Sequence, residues 1–173
     1  LIFVAVGTPS LKNGSINLSF VKQVSVLIGK EIKNRNRFIS IIIKSTVLPT
    51  TTDTLVREII EKYSGKTLGQ FGLGMNPEFL REGSALKDFM EPDRVVIGFE
   101  DIKTKEYLDY LYKSWNCEKL FVNTRTAELI KYANNCFLAL QISASNEIAN
   151  LSAFIGNIDI KEVMLGVHLD KRW

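Results

Sequence analysis

Two apolar runs, Leu1-Ile2-Phe3-Val4-Ala5-Val6 and Phe38-Ile39-Ser40-Ile41-Ile42-Ile43, the second interrupted only by Ser40, constrain the fold of this chain more than any other feature. Both are β-prone, and neither alternates as a strand with one wet face would. Each therefore predicts a parallel strand covered on both sides. Between them Leu18, Val21, Val24, Leu27, Ile28 and Ile32 recur at helical spacing, predicting an amphipathic helix over 18–33. Leu55, Val56, Ile59, Ile60 and Tyr63 mark a second helix that Gly65 stops, and a weaker strand follows from Phe71 to Met75. Strand, helix, strand, helix, strand is the rhythm of a doubly wound parallel sheet.

Further on, Val95 to Gly98 reads as a short strand, 104–113 as a helix, and Leu120 to Val122 as a last strand. From Thr126 the texture changes. Ala127 to Phe154 contains neither Gly nor Pro, and Leu129, Ala133, Cys136, Phe137, Leu140, Ala144, Ile148 and Leu151 keep helical spacing. One helix of that length suggests the spine of a second, all-helical domain. Gly156 ends it, and Asp159 with Glu162 forms a capping box for the next helix.

Loops at the carboxyl edge of such a sheet are where ligands bind. Three polar loops are expected there: Gly7-Thr8-Pro9-Ser10, Ser45-Thr46-Val47, and the stretch from Asn76 to Gly98. The last is the most charged. Its Asn76-Pro77-Glu78-Phe79-Leu80-Arg81-Glu82-Gly83 sets two carboxylates around an Arg, and the Pro and Gly argue for an irregular loop over a solvated helix face. Glu78 and Glu82 read either as the first turn of a helix, favoured by its dipole, or as a general base and a cofactor contact. Thr8, Ser45 and Thr46 read either as helix caps or as nucleotide contacts. On the long helix Lys131 and Asn135 share a face. They are interhelical or solvent-facing polar groups, or else an ammonium and a carboxamide aimed at an oxygen that becomes negative during reaction. His168, the only histidine, reads as an incidental surface residue.

Composition excludes several classes. A net charge of +3 on 173 residues is too mild to argue for nucleic acid or an anionic membrane. No apolar stretch approaches a membrane span. Two cysteines, Cys117 and Cys136, lie far apart outside any metal or redox spacing, so no metal is expected and a reducing cytoplasm fits. No initiator Met is present, the first residue already lies in a strand, and the final residues carry no helix stop. The chain is therefore expected to be an internal piece of a longer protein.

Five ordered blocks resemble the UDP-glucose 6-dehydrogenases of the UDP-glucose/GDP-mannose dehydrogenase family. They are Val4 to Pro9 with Gly14-Ser15, Ser45-Thr46-Val47 with Pro49, Asn76 to Gly83, Pro92-Asp93-Arg94 with Ile97-Gly98, and Lys131 to Asn135 through Asn146 to Asn150. The resemblance implies NAD-dependent oxidation of UDP-glucose at C6 to UDP-glucuronate, through a cysteine-linked thiohemiacetal and thioester. It assigns Gly7, Thr8, Pro9, Ser45, Thr46 and Glu82 to NAD, and Glu78, Phe79, Leu80, Arg81, Glu82, Lys131 and Asn135 to the sugar nucleotide. Thr46, Glu78, Lys131 and Asn135 take the catalytic roles: Thr46 and Glu78 with the hydrolytic water, Lys131 and Asn135 with the oxyanion. The expected organisation is the latter part of a Rossmann-like NAD-binding domain, 1–124, followed by the start of a helical central domain, 125–173, that forms a homodimer through its long helix. The family's Gly-rich phosphate loop would lie before Leu1 and its Gly-Gly-Ser-Cys nucleophile after Trp173, so the chain alone is expected to be inactive. GDP-mannose or another nucleotide sugar, and a non-catalytic binding or dimerisation module, are the rival readings.

Overall fold

A computed structural model describes residues 1–172, which divide into two compact units, Leu1–Tyr132 and the residues from Ala133 on. The first unit holds a five-stranded sheet in sequential order. Its strands are β1 (Ile2–Val4), β2 (Ser40–Ile43), β3 (Gly72–Met75), β4 (Arg94–Phe99) and β5 (Glu118–Val122). The helices are α1 (Ser19–Ile32), α2 (Arg57–Ser64), α3 (Ala85–Met90), α4 (Ile102–Leu111), α5 (Thr124–Ile155) and α6 (Ile160–His168).

β2 shows why the sheet must be covered twice. Ile41, Ile42 and Ile43 are all fully buried. Ile41 and Ile43 pack with Val21, Ile28, Ile32 and Ile60 of α1 and α2, whereas Ile42 packs with Leu108 and Tyr112 at the α4 side. Period-two alternation thus feeds two cores, each such side chain contributing about 1.5–3 kcal/mol. Asp101 caps α4 by accepting the Thr104 amide at 2.8 Å, and its other oxygen accepts the Leu73 amide at 3.1 Å. The Thr104 hydroxyl continues that link to Asp101 and Ser40.

The sheet departs from the all-parallel expectation at one place. β1, β2 and β3 are parallel, as are β4 and β5, but β3 and β4 run antiparallel, with Met75 opposite Gly98. β4 therefore starts beyond the carboxyl end of β3, and Arg94 enters the sheet on the side of the charged loop. The loop itself is not wholly irregular, because α3 forms inside it. The second helix also begins differently from expectation: a wide π-helical segment, Thr51–Val56, precedes α2, and Thr50 before it takes a left-handed φ of 80°. Gly65 does stop α2, with φ 70°.

α5 extends over 32 residues and α6 follows the left-handed Gly156. Asp159 caps α6 through the Lys161 amide at 2.8 Å, not through that of Glu162, so the expected capping box is a simpler Asx cap. The start of α5 packs tightly on β4. A Cβ on Gly98 would stand 2.8 Å from the Ala127 Cβ and 3.0 Å from the Thr124 Cα, so only glycine allows that approach. Among the described residues no helix is long and apolar enough to cross a membrane, and no group of His, Cys, Asp or Glu could hold a metal ion.

Candidate active site

The parallel strands end at Val4, Ile43 and Met75 along one edge, where three polar loops begin. The first two are stitched together. Thr8 donates its hydroxyl to the Thr46 carbonyl at 2.9 Å, and Ser45 donates to the Val6 carbonyl at 2.6 Å. None of the three hydroxyls caps a helix. Ser45 is buried, Thr8 and Thr46 are half-buried, and Gly7 and Pro9 are exposed at the rim.

The third loop is anchored by Asn76, which is 2% exposed. Its side-chain NH2 donates to the Val96 carbonyl at 2.8 Å. Its Oδ1 accepts the Tyr112 hydroxyl at 2.6 Å and Lys44 Nζ at 3.0 Å. One carboxamide thereby ties β2, β4 and the end of α4 to the start of the loop, with every polar atom matched. Burial lowers the pKa of Lys44 to about 8, and the negative charge of Glu78 works against that shift. Burial also pushes the Tyr112 hydroxyl up.

Two residues further, the Glu78 carboxylate is held from both sides. One oxygen accepts the Leu80 amide at 2.8 Å, and the other lies 3.1 Å from Lys131 Nζ. The Lys131 side chain is 7% exposed and that of Glu78 32%. Two cations approach the Phe79 ring, with Arg94 at 4.1 Å and Lys131 at 5.3 Å from its centroid. A buried ammonium flanked by a carboxylate and an aromatic face is a preorganised charge, suited to an oxygen that becomes negative nearby. Beneath the loop, Lys44, Glu78, Phe79, Arg94, Tyr112 and Trp115 line a cleft of about 90 Å³.

The outer half of the loop closes on itself. The Arg81 amide and guanidinium donate to Asp88 at 2.6–3.2 Å, and the Ser84 hydroxyl adds a bond at 3.0 Å. The Arg81 hydrogen bonds hold the Asp88 carboxyl far below the usual carboxylate range. Gly83, at φ 86°, makes the turn.

The expected site residues thus fall into groups. Glu78, Phe79 and Lys131 meet, and so do Thr8, Ser45 and Thr46. Arg81 is engaged by Asp88, while Leu80 and Glu82 lie on the exposed side of the loop. Asn135 stands one helical turn beyond Lys131 on α5, in the second unit, and is exposed. Sequence reasoning passes over Lys44, Asn76 and Glu128. Glu128 is fully buried, and its two oxygens accept the amides of Thr50 and Thr52, each at 2.8 Å. Burial raises its pKa to about 7, against the pull of the hydrogen bonds from Thr52 and Thr50. Its signal in the sequence is an acid flanked by the apolar Ala127 and Ile130.

A doubly covered sheet gathers its polar loops on one edge, with a buried ammonium–carboxylate pair beside them. Residues 1–116 match the profile of the UDP-glucose/GDP-mannose dehydrogenase family, NAD binding domain, and residues 125–173 match that of the family's central domain. The chain belongs to the UDP-glucose/GDP-mannose dehydrogenase family. It is 39% identical to a GDP-mannose 6-dehydrogenase of Pseudomonas aeruginosa, over 94% of this chain and 37% of that protein. It is 41% identical to the UDP-glucose 6-dehydrogenase TuaD of Bacillus subtilis, over 99% of this chain and 36% of that one. The solved UDP-glucose dehydrogenase of Pyrobaculum islandicum superposes with a TM-score of 0.93 at 44% identity, covering 98% of this chain and 39% of that structure. The chain spans about two fifths of the length of these relatives.

Proposed function

We propose that the protein oxidises the C6 alcohol of UDP-glucose to the carboxylate, using NAD+. The balance is one alcohol, two NAD+ and one water giving one carboxylate, two NADH and three protons. The observation that carries this reading is the Lys131–Glu78 pair, 3.1 Å apart at the edge where the sheet's polar loops gather. Pro92-Asp93-Arg94, resembling the UDP-glucose branch, supports that sugar.

The family resemblance implies each catalytic role, and local chemistry supports it. Lys131, with Asn135, stabilises the oxygen that becomes negative as the carbonyl carbon is attacked. Glu78 takes the proton of the attacking water, and Thr46 helps to hold that water. Phe79, Leu80, Arg81 and Glu82 border the sugar. NAD+, when bound, supplies the hydride acceptor; Gly7, Thr8, Pro9, Ser45, Thr46 and Glu82 would hold it. The residues fit such a ligand at the rim, since a Cβ at Gly7 would meet no atom within 4 Å. The acyl group is carried as a thioester on a cysteine outside this chain. Residues 1–124 and 125–173 serve as NAD-binding and central domains of a cytoplasmic enzyme.

The test is stoichiometry in the full-length protein. Two NADH per UDP-glucose are expected, and release of a free aldehyde after one NADH would overturn the reading. The 39% identity to a GDP-mannose 6-dehydrogenase favours a second reading, the same oxidation on GDP-mannose. Comparing kcat/KM for the two sugars decides between them, because a hydrogen-bonding site separates sugars strongly.

A homodimer through α5 accompanies this reading. Phe137 and Leu140 are 67% and 64% exposed on that helix. Replacing either by Asp is expected to lower the sedimentation coefficient, and an unchanged value would remove the dimer.

A further inference from the structure

We propose that Glu128 is a positioning residue, whose carboxylate locks the segment from Ser45 to Thr52 in register with the helix that presents Lys131. This rests on the dehydrogenase reading, which gives Thr46 and Lys131 their work.

The geometry is specific. The two carboxylate oxygens are divided between two backbone amides, those of Thr50 and Thr52, 2.8 Å from each. The amides belong to the entrance of the helical stretch running through α2, and Glu128 stands almost one turn before Lys131 on α5. Thr50 is held at φ 80°, a conformation that a β-branched residue keeps only where its surroundings impose it. Upstream, the Thr51 amide and hydroxyl both return to the Leu48 carbonyl, at 3.1 and 2.6 Å. Ser45 and Thr46 are pinned in turn to the Gly7 loop. Hydrogen bonds therefore tie Thr8 to Thr46, Thr51 to Leu48, and Thr50 and Thr52 to Glu128, with only the chain from Thr46 to Leu48 joining the first to the second, and α5 carries Glu128 on to Lys131 and Glu78.

A fully buried carboxylate accepts the peptide amides of Thr50 and Thr52 here, with the Thr52 side chain beside it and Asp53 as a further negative charge near it. Arg125 bridges Asp53 at 2.6 Å, but its side chain is 58% exposed, and such a surface pair holds little. An uncharged side chain of similar volume would fill the space with less desolvation. What it would lose is the simultaneous grip on two amides that fixes the approach of the loop to α5. An amide side chain offers one acceptor oxygen, so in the same position it would turn its NH2 group toward one of the two amides.

The test uses the full-length protein with Glu128→Gln and, as a second variant, Glu128→Asp, which withdraws the carboxylate by one methylene. kcat and KM for NAD+ and the sugar nucleotide are measured together with hydrogen exchange by mass spectrometry. We expect kcat to fall about ten- to a hundredfold, as for small misplacements of catalytic groups, with KM within about threefold. Exchange should quicken in 48–54 and stay unchanged in 40–43. A kcat within twofold of wild type despite faster exchange in 48–54 would overturn the proposal. So would faster exchange spread over the whole sheet, or failure of both variants to fold, since Glu128 would then support the fold as a whole. Wild-type turnover tests the dehydrogenase reading by itself, and the exchange measurement stands without it.

Discussion

Lys131 Nζ lies 3.1 Å from Glu78 Oε1, and the two partners are desolvated to different extents: the lysine side chain is 7% exposed, the glutamate 32%. The consequence is an asymmetry between the two deletions. Removing Glu78 leaves a buried ammonium without its carboxylate, and Glu78→Ala should destabilise the protein by about 2 kcal/mol. Removing Lys131 leaves a carboxylate that water and the Leu80 amide still satisfy, so Lys131→Met should cost about 1 kcal/mol or less. Both should lower kcat, Lys131→Met by about a hundred- to a thousandfold. Urea unfolding of the two variants checks the order, and Lys131→Met proving the less stable would refute the argument.

Glu128 gives a pH dependence of known sign. Its pKa stands at about 7 in the folded protein against 4.5 for an ordinary glutamate, so between these values the folded state binds more protons than the unfolded one. Stability then falls as pH rises from about 4.5 to about 7 and is level above, with a slope of at most about 1.4 kcal/mol per pH unit from this group. Glu128→Gln removes the titration. The difference in unfolding free energy, wild type minus variant, should therefore decline across that window and flatten beyond it. A flat difference from pH 5 to 8 would contradict the assignment.

What the sequence makes legible follows from which signals are local. Ile41 to Ile43 declare a doubly covered strand, Gly65 declares a helix end, and α5 shows through its unbroken periodicity. The direction of β4 is not local. Val95, Val96 and Ile97 would read the same in either orientation, and a long loop with α3 inside it could serve a parallel crossover as well as the antiparallel pairing with β3 that forms. The charged loop is recognisable as ligand-facing, yet its internal division is not. Whether Arg81 faces outward or inward depends on Asp88, which reads in sequence as one more solvated charge. Glu128 is the clearest miss, because its partners are backbone amides more than seventy residues away. No side-chain pattern announces them.

Lys44 should produce the opposite slope from Glu128, at higher pH. Its pKa is lowered by burial from 10.5 to about 8, so between about 8 and 10.5 the unfolded chain binds the extra proton. Stability contributed by this group rises with pH across that window, since folding there must strip the proton that the unfolded chain still holds, and that cost shrinks as pH approaches 10.5. Lys44→Met keeps the buried stem and removes the titration. Wild type should gain on the variant between pH 8 and 10, as measured by thermal unfolding in matched buffers. A constant difference would show that the ammonium is not desolvated.

Gly98 tests the contact that brings α5 onto the sheet and Lys131 toward its loop. An added Cβ would lie 2.8 Å from the Ala127 side chain and 3.0 Å from the Thr124 backbone, and a helix backbone cannot swing aside as a flexible side chain can. Gly98→Ala should therefore destabilise by about 1–3 kcal/mol through overpacking. It should also lower kcat, because moving the start of α5 moves Lys131 with it. Gly166 is the control: it lies in α6, and a Cβ there would meet nothing within 4 Å. Gly166→Ala should be neutral or stabilising by up to about 1 kcal/mol, from helix propensity alone. If both substitutions leave the melting temperature unchanged, α5 does not depend on glycine at β4, and the close approach at Gly98 is not what positions Lys131.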